Sequence, residues 1–99
     1  MTERESWRQL RDLRMAEPGA AEAYAAARLS YELGRAVREM RERRGWTQAQ
    51  LAQAAGMTQP AVARFEAGGT VPTIPVLERL ASALEAELVV RLSPRTSAA

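Results

Sequence analysis

Two short amphipathic segments separated by a single glycine constrain this chain more than anything else in it. They lie between Thr47 and Gly68, TQAQLAQAAGMTQPAVARFEAG. Thr47 followed by Gln50 is the S/T-x-x-E/Q pattern in which a hydroxyl and an amide reciprocally satisfy free N–H groups at a helix start. Leu51, Ala52 and Ala55 repeat at helical spacing and give the first segment one apolar edge. Gly56 allows the left-handed exit a sharp stop requires, and Met57 can fold back onto the core. Thr58 is a second N-cap, Pro60 is tolerated in a first turn, and Gly68 is the next stop. The pattern predicts two short helices joined by a tight turn.

The second of these helices has unlike faces. At about 100° per residue, Val62 and Phe65 point one way with Glu66 beside them. Pro60, Ala63, Arg64 and Ala67 point the other way, with Gln59 at the tip. A face of small residues with one Gln and one Arg can approach another surface closely. The major groove of DNA admits such a helix, Gln pairs bidentately with adenine and Arg with guanine, and Pro60 and Ala63 suit thymine methyls. A solvated face in a small helical bundle fits the same spacing equally well.

The surroundings make the pattern more specific. REMRERRGWTQAQLAQAAG, then MTQPAVARFEAG, then PTIPVLERLASAL, spanning about Leu33 to Leu84, resembles the lambda-repressor/Cro-like (XRE) helix-turn-helix family. The resemblance covers about half the chain and implies a mainly all-α, four- to five-helix lambda-repressor-like DNA-binding domain. It makes the second helix the recognition helix, with Gln59, Pro60, Ala63 and Arg64 facing bases and Thr58 at its cap among the DNA-binding residues. Gln48 is then expected on the phosphate backbone, as is Thr70 in the loop Gly68-Gly69-Thr70-Val71-Pro72. In this family an Arg on the first helix pairs with a Glu near the end of the recognition helix; the matching residues are Arg41 and Glu66. The family also places a Gly after the helix that follows the loop, where this chain has Glu85.

Upstream, residues 20–44 read as one helix. AEAYAAARL has high helix propensity, and Leu29, Leu33, Val37 and Met40 run down one face. Tyr24, Ala27 and Tyr31 lie on another side, read as core or dimer interface. Arg35, Arg38, Arg41, Arg43 and Arg44 cluster toward the C-terminal end, where cations favour the helix dipole, with Glu39 and Glu42 interleaved. Gly45 ends the helix, and Trp46 is expected to pack back against Met40. Residues 1–19 form an N-terminal arm in which Trp7, Leu10 and Leu13 recur at three-residue intervals, as a partner-docking segment or a piece folded onto its own domain. Glu17-Pro18-Gly19 breaks it.

Downstream, Thr73 caps a helix with Ile74, Leu77, Leu80, Ala81 and Leu84 on one face. Residues 20–86 make up the helix-turn-helix domain. Glu87–Leu92, ELVVRL, has strong β character, and Ser93-Pro94 stops it ahead of a tail over residues 93–99. A lone strand needs a partner for its backbone groups. Leu88, Val90 and Leu92 are the candidate dimer-strand residues, with pairing across a two-fold axis, with the arm, or with a bound protein as the solutions.

Composition narrows the function classes. The chain has 99 residues, no cysteine and no histidine, which removes disulfides, thiol nucleophiles and the usual zinc sets. With no convergent carboxylate pair either, an enzyme is not expected, nor a metal, cofactor or small-molecule ligand. No apolar run of about 18 residues suggests a membrane span, and a cytoplasmic protein is expected. The net charge of +2 is too small to argue for nucleic acid by itself. All 14 basic residues are Arg, which suits phosphate and guanine and equally fits a compositional bias.

The whole layout, a Tyr/Ala-rich helical extension, PTIPVLERLASAL and a C-terminal ELVVRL, resembles HigA-type antitoxins. That likeness implies a homodimer on a palindromic operator in double-stranded DNA, and a small RelE/HigB-like toxin ribonuclease as partner. A free-standing regulator of the same fold, and a protein-interaction module without a DNA role, are the alternatives.

Overall fold

The computed structural model describes residues 9–11 and 18–95. Besides a helical turn near the start, the described chain carries four longer helices, here α1 (Ala20–Arg43), α2 (Gln48–Ala55), α3 (Gln59–Glu66) and α4 (Ile74–Ala83). α2 packs on both α3 and α4, and α1 packs on α3. Gln9–Arg11 is helical and exposed.

Local chemistry sets each helix start. The Thr47 hydroxyl accepts from the Gln50 N–H at 3.1 Å while the Gln50 side chain accepts from the Thr47 N–H at 2.8 Å, closing the reciprocal cap of α2. Thr58 and Thr73 cap α3 and α4 through the N–H groups of Ala61 and Val76. Gly56 takes the left-handed conformation, and the Met57 N–H returns to the Ala52 carbonyl at 2.8 Å.

The core is the meeting point of the three short helices. Leu51, Val62 and Leu80 are fully buried, with Ala52, Ala55, Phe65, Leu77 and Leu84 around them, and α1 contributes Val37. Met57 packs against this cluster, as do Leu33, Trp46 and Val76.

α1 departs from its expected face. Of Leu29, Leu33, Val37 and Met40, only Val37 is buried and Leu33 half-buried, while Leu29 and Met40 are exposed. Only the C-terminal half of α1 lies over α3, and its buried residues are Gly34 and Val37. Tyr24 and Tyr31 are exposed, Tyr31 at 57%, so neither belongs to the core. Trp46 is held by Arg44, whose guanidinium sits 4.5 Å from the ring centroid. In α4 the buried face is rotated by part of a turn. Ile74 is exposed and Val76 is packed inward, with Leu77, Leu80 and Leu84 inside as expected and Ala81 half-buried.

The expected C-terminal strand is not formed. No described residue is in a strand, and residues 86–95 carry no regular structure. The hydrophobic character of ELVVRL is partly used another way, since Ala86 and Leu88 pack against the core. Val89, Val90 and Leu92 point to solvent, Leu92 at 96% exposure. β propensity describes fitness for a pleated, half-buried surface rather than a backbone preference, and among the described residues this segment meets no second strand.

Glu85, where the family pattern has a glycine, occupies the glycine conformation. Its φ is 54°, and it is the one non-glycine residue with positive φ among those described. The Ala86 N–H reaches the Ala81 carbonyl at 2.8 Å and the Glu85 N–H that of Ser82 at 3.1 Å. The exit from α4 therefore keeps the usual C-terminal hydrogen bonding, with backbone strain at Glu85.

Candidate nucleic-acid interface

The two helices of the central motif each begin with a glutamine. Gln48 is the first residue of α2 and Gln59 the first of α3. The tight turn through Gly56 and Met57 brings them together, and the Gln59 amide Nε2 donates to Gln48 Oε1 at 2.8 Å. Gln48 Nε2 in turn donates to Glu66 Oε1 at 3.1 Å. Gln59 is exposed and Gln48 half-buried, so the contact runs from the buried end of α3 out to its tip.

Behind the glutamines stands an ion pair. Arg41 Nε donates to Glu66 Oε2 at 2.7 Å and Arg41 Nη2 donates to Glu66 Oε1 at 3.0 Å. Arg41 Nη1 also donates to the Trp46 carbonyl at 2.7 Å. The side chains retain 11% and 3% exposure respectively. The hydrogen bond to Glu66 raises the Arg41 pKa above its already high ordinary value, against the opposing effect of burial. A two-pronged guanidinium–carboxylate contact fixes orientation as well as charge, so it locks α1, the α1–α2 turn and the end of α3 together.

The outer face of α3 is free. Gln59, Pro60 and Arg64 are exposed and Ala63 half-buried, while Val62, Phe65 and Glu66 turn inward. Arg64 forms no ion pair among the described residues, unlike Arg28, Arg35 and Arg38 on α1, each of which is matched by a Glu four residues on. Among those three pairs, Arg38 and Glu42 draw each other's pKa apart, raised and lowered respectively, chiefly through their hydrogen bond. The Thr58 oxygen is used as the cap acceptor, which leaves its O–H free to donate outward. The Gly69 N–H bonds the Arg64 carbonyl at 2.9 Å, tying the start of the loop to α3, and Thr70 is exposed just beyond. A convex helix with one amide, one unpaired guanidinium and small side chains between them can enter a groove and present donors and an acceptor there.

The remaining sequence-derived candidates lie elsewhere. Leu10 is exposed in the helical turn at Gln9–Arg11, while Trp7 and Leu13 lie outside the described residues. Val90 and Leu92 are exposed and Leu88 is half-buried against the core, so the three do not share one free face.

Besides the bonds of Gln48, two further positioning contacts are not predicted by the sequence pattern. Gly34 sits beneath the C-terminal turn of α3, where a Cβ would collide with the Phe65 carbonyl oxygen and lie 2.8 Å from that of Glu66. A glycine between Leu33 and Val37, within an apolar stripe, was the available signal. The second is Arg44, whose Nη1 donates to the Leu84 carbonyl at 3.2 Å and satisfies the end of α4.

Among the described residues no helix is long and apolar enough to cross a membrane, and no group of His, Cys, Asp or Glu could hold a metal ion. The chain has no significant match among curated proteins or among solved structures. A family model described as a helix-turn-helix domain matches residues 32–92, more than half of the 99. The match takes in the second half of α1, both helices of the motif, α4 and the segment through residue 92. On that match, the chain belongs to the helix-turn-helix domain family.

Proposed function

We propose that this chain is a sequence-specific, DNA-binding transcriptional repressor that acts as a homodimer, and that it is the antitoxin of a bacterial type II toxin–antitoxin pair. The observation that carries the DNA reading is the outer face of α3, where Gln59 and the unpaired Arg64 flank Pro60 and Ala63 over a rigidly held helix. Gln59 reads adenine and Arg64 guanine, and Gln48, Thr58 and Thr70 hold phosphates. In the dimer two such helices stand roughly 34 Å apart on a palindromic operator. The protein is cytoplasmic, not an enzyme, and needs no cofactor.

The antitoxin reading rests on apolar surface beyond what DNA recognition uses. Tyr24, Leu29 and Tyr31 on the outer half of α1, and Val89, Val90 and Leu92 in the 87–92 segment, are exposed. In this reading the partner is a small RelE/HigB-like toxin ribonuclease, which the chain neutralises while repressing the promoter the two share. Trp7, Leu10 and Leu13 of the arm, or the 87–92 segment, are its docking residues, and the segment pairs as a strand once a partner supplies one.

The deciding experiment is affinity purification of the tagged chain from its host, with nuclease treatment and mass spectrometry of what co-elutes. A stoichiometric small basic protein is expected. Elution of the chain alone would favour a free-standing regulator. DNA affinity that stayed weak and sequence-blind at physiological salt would favour an interaction module instead.

A further inference from the structure

We infer that Glu66, a buried residue that reaches no DNA, sets the base preference of Gln59 by fixing which way its amide faces. The inference rests on the DNA-reading role of α3 proposed above and adds to it a positioning residue and a choice between two bases.

A carboxylate paired to a guanidinium is an acceptor only, whereas a Gln side chain carries an acceptor oxygen and two N–H donors that exchange places when the amide turns over. Glu66 Oε1 already receives Arg41 Nη2 at 3.0 Å and receives Gln48 Nε2 at 3.1 Å. The Gln48 amide must therefore direct its NH2 inward, because the opposite orientation would set its carbonyl against a nearly buried carboxylate. With one N–H given to Glu66 and the second left for a phosphate, Gln48 presents Oε1 outward, and that oxygen receives Gln59 Nε2 at 2.8 Å. Polarity is thus handed along three side chains, from the core to the tip of α3.

The consequence for Gln59 is definite. One N–H is spent on Gln48, leaving Oε1 and the second N–H to face the groove. Adenine offers N7 as acceptor and N6–H as donor, which is the complement of that pair. Guanine offers two acceptors, N7 and O6, and needs two donors. A Gln59 turned over would direct its NH2 outward and satisfy guanine. Glu66 is what disfavours that orientation, acting through Gln48.

The test compares the full-length wild type with Glu66→Gln and Gln48→Leu by selection from a random-sequence duplex library. The base met by Gln59 is located as the position whose preference disappears in Gln59→Ala. Glu66→Gln replaces the acceptor-only group by an amide that works either way round. Gln48→Leu cuts the relay and leaves the Arg41–Glu66 pair in place, so it carries the test even if Glu66→Gln folds poorly. At that base, wild type should prefer adenine over guanine by roughly ten- to a hundredfold, and both variants by less than about threefold. Binding to random duplex should be unchanged in Glu66→Gln. In the free protein, 15N relaxation of the Gln59 side-chain amide should report a rigid group in wild type and a mobile one in both variants. Full adenine preference in both variants, or an equally rigid Gln59 amide in both, would overturn the role of Glu66 alone. A wild type that enriches no sequence would overturn the DNA reading itself, and the base preference with it.

Discussion

Gly34 of α1 and Phe65 of α3 meet backbone to backbone, with the Phe65 carbonyl oxygen occupying the space where a Cβ on Gly34 would stand. Alanine is the better helix former by roughly 1 kcal/mol, yet here the neighbour is main chain and cannot swing aside. Gly34→Ala should therefore destabilise the fold by about 1–3 kcal/mol, the usual cost of overpacking. Urea denaturation followed by circular dichroism would measure it. A variant more stable than wild type would mean that α1 does not rest on α3 in this way.

Removing one partner of the Arg41–Glu66 pair should cost more. Glu66→Ala leaves a guanidinium buried without its carboxylate, a change of on the order of 3–5 kcal/mol. Replacing both by apolar residues of similar volume, Arg41→Met with Glu66→Leu, should recover most of that loss. Glu66→Ala with the melting temperature of wild type and no DNA binding would instead make Glu66 a contact residue.

Glu85 offers a substitution in the stabilising direction. It holds a φ of 54°, which a Cβ makes costly. Glu85→Gly relieves that strain while adding unfolded-chain entropy, for a net gain of up to about 1 kcal/mol. Glu85→Val, β-branched at the same φ, should lose more than wild type. The contact of Glu85 with Arg44, at 3.8 Å and largely exposed, weighs little against either change.

The outer face of α3 should affect binding without affecting folding. Arg64→Ala and Gln59→Ala are each expected to forfeit about 1–3 kcal/mol of discrimination between the selected duplex and a scrambled one, with melting temperatures close to wild type. Fluorescence anisotropy at two salt concentrations would separate this from loss of phosphate contacts, which weakens both duplexes alike. Equal losses on both would count against direct readout.

The proposed dimerisation through residues 87–92 makes a further prediction. Val90→Asp and Leu92→Asp change exposed residues and should leave the monomer fold untouched. If copies of 87–92 pair, light scattering should show the wild-type dimer falling to monomer in either variant. A dimer that survives both changes would place the two-fold contact elsewhere.

How much of this was legible in the sequence depends on how far each signal had to reach. Caps at Thr47, Thr58 and Thr73, and the left-handed exit at Gly56, involve residues a few positions apart, and each was readable from spacing. Leu51, Val62, Phe65, Leu77 and Leu80 followed from periodicity. The exchange of Ile74 for Val76 did not, because it depends on the angle at which α4 meets α2. Leu29 and Met40 continue the helical stripe of Val37, but α3 is only eight residues long and covers just part of that stripe. The 87–92 segment failed for a related reason, since strand formation belongs to a pair of segments. The bonds of Gln48 to Glu66 and Gln59 were not legible either, because they join residues 18 and 11 positions away, beyond any local pattern.

The freedom of the outer face has a practical side. Pro60, Ala63 and Arg64 take no part in the Gln48–Glu66 chain of bonds, so on the proposed DNA reading they can be varied in a library against new operators with that chain of bonds left in place. Gln59 is different: exchanging it leaves Gln48 Oε1 without its donor. A designer who wants a new letter at that position should vary residues 48 and 59 as one unit, and count the pair as a single letter of the reading head.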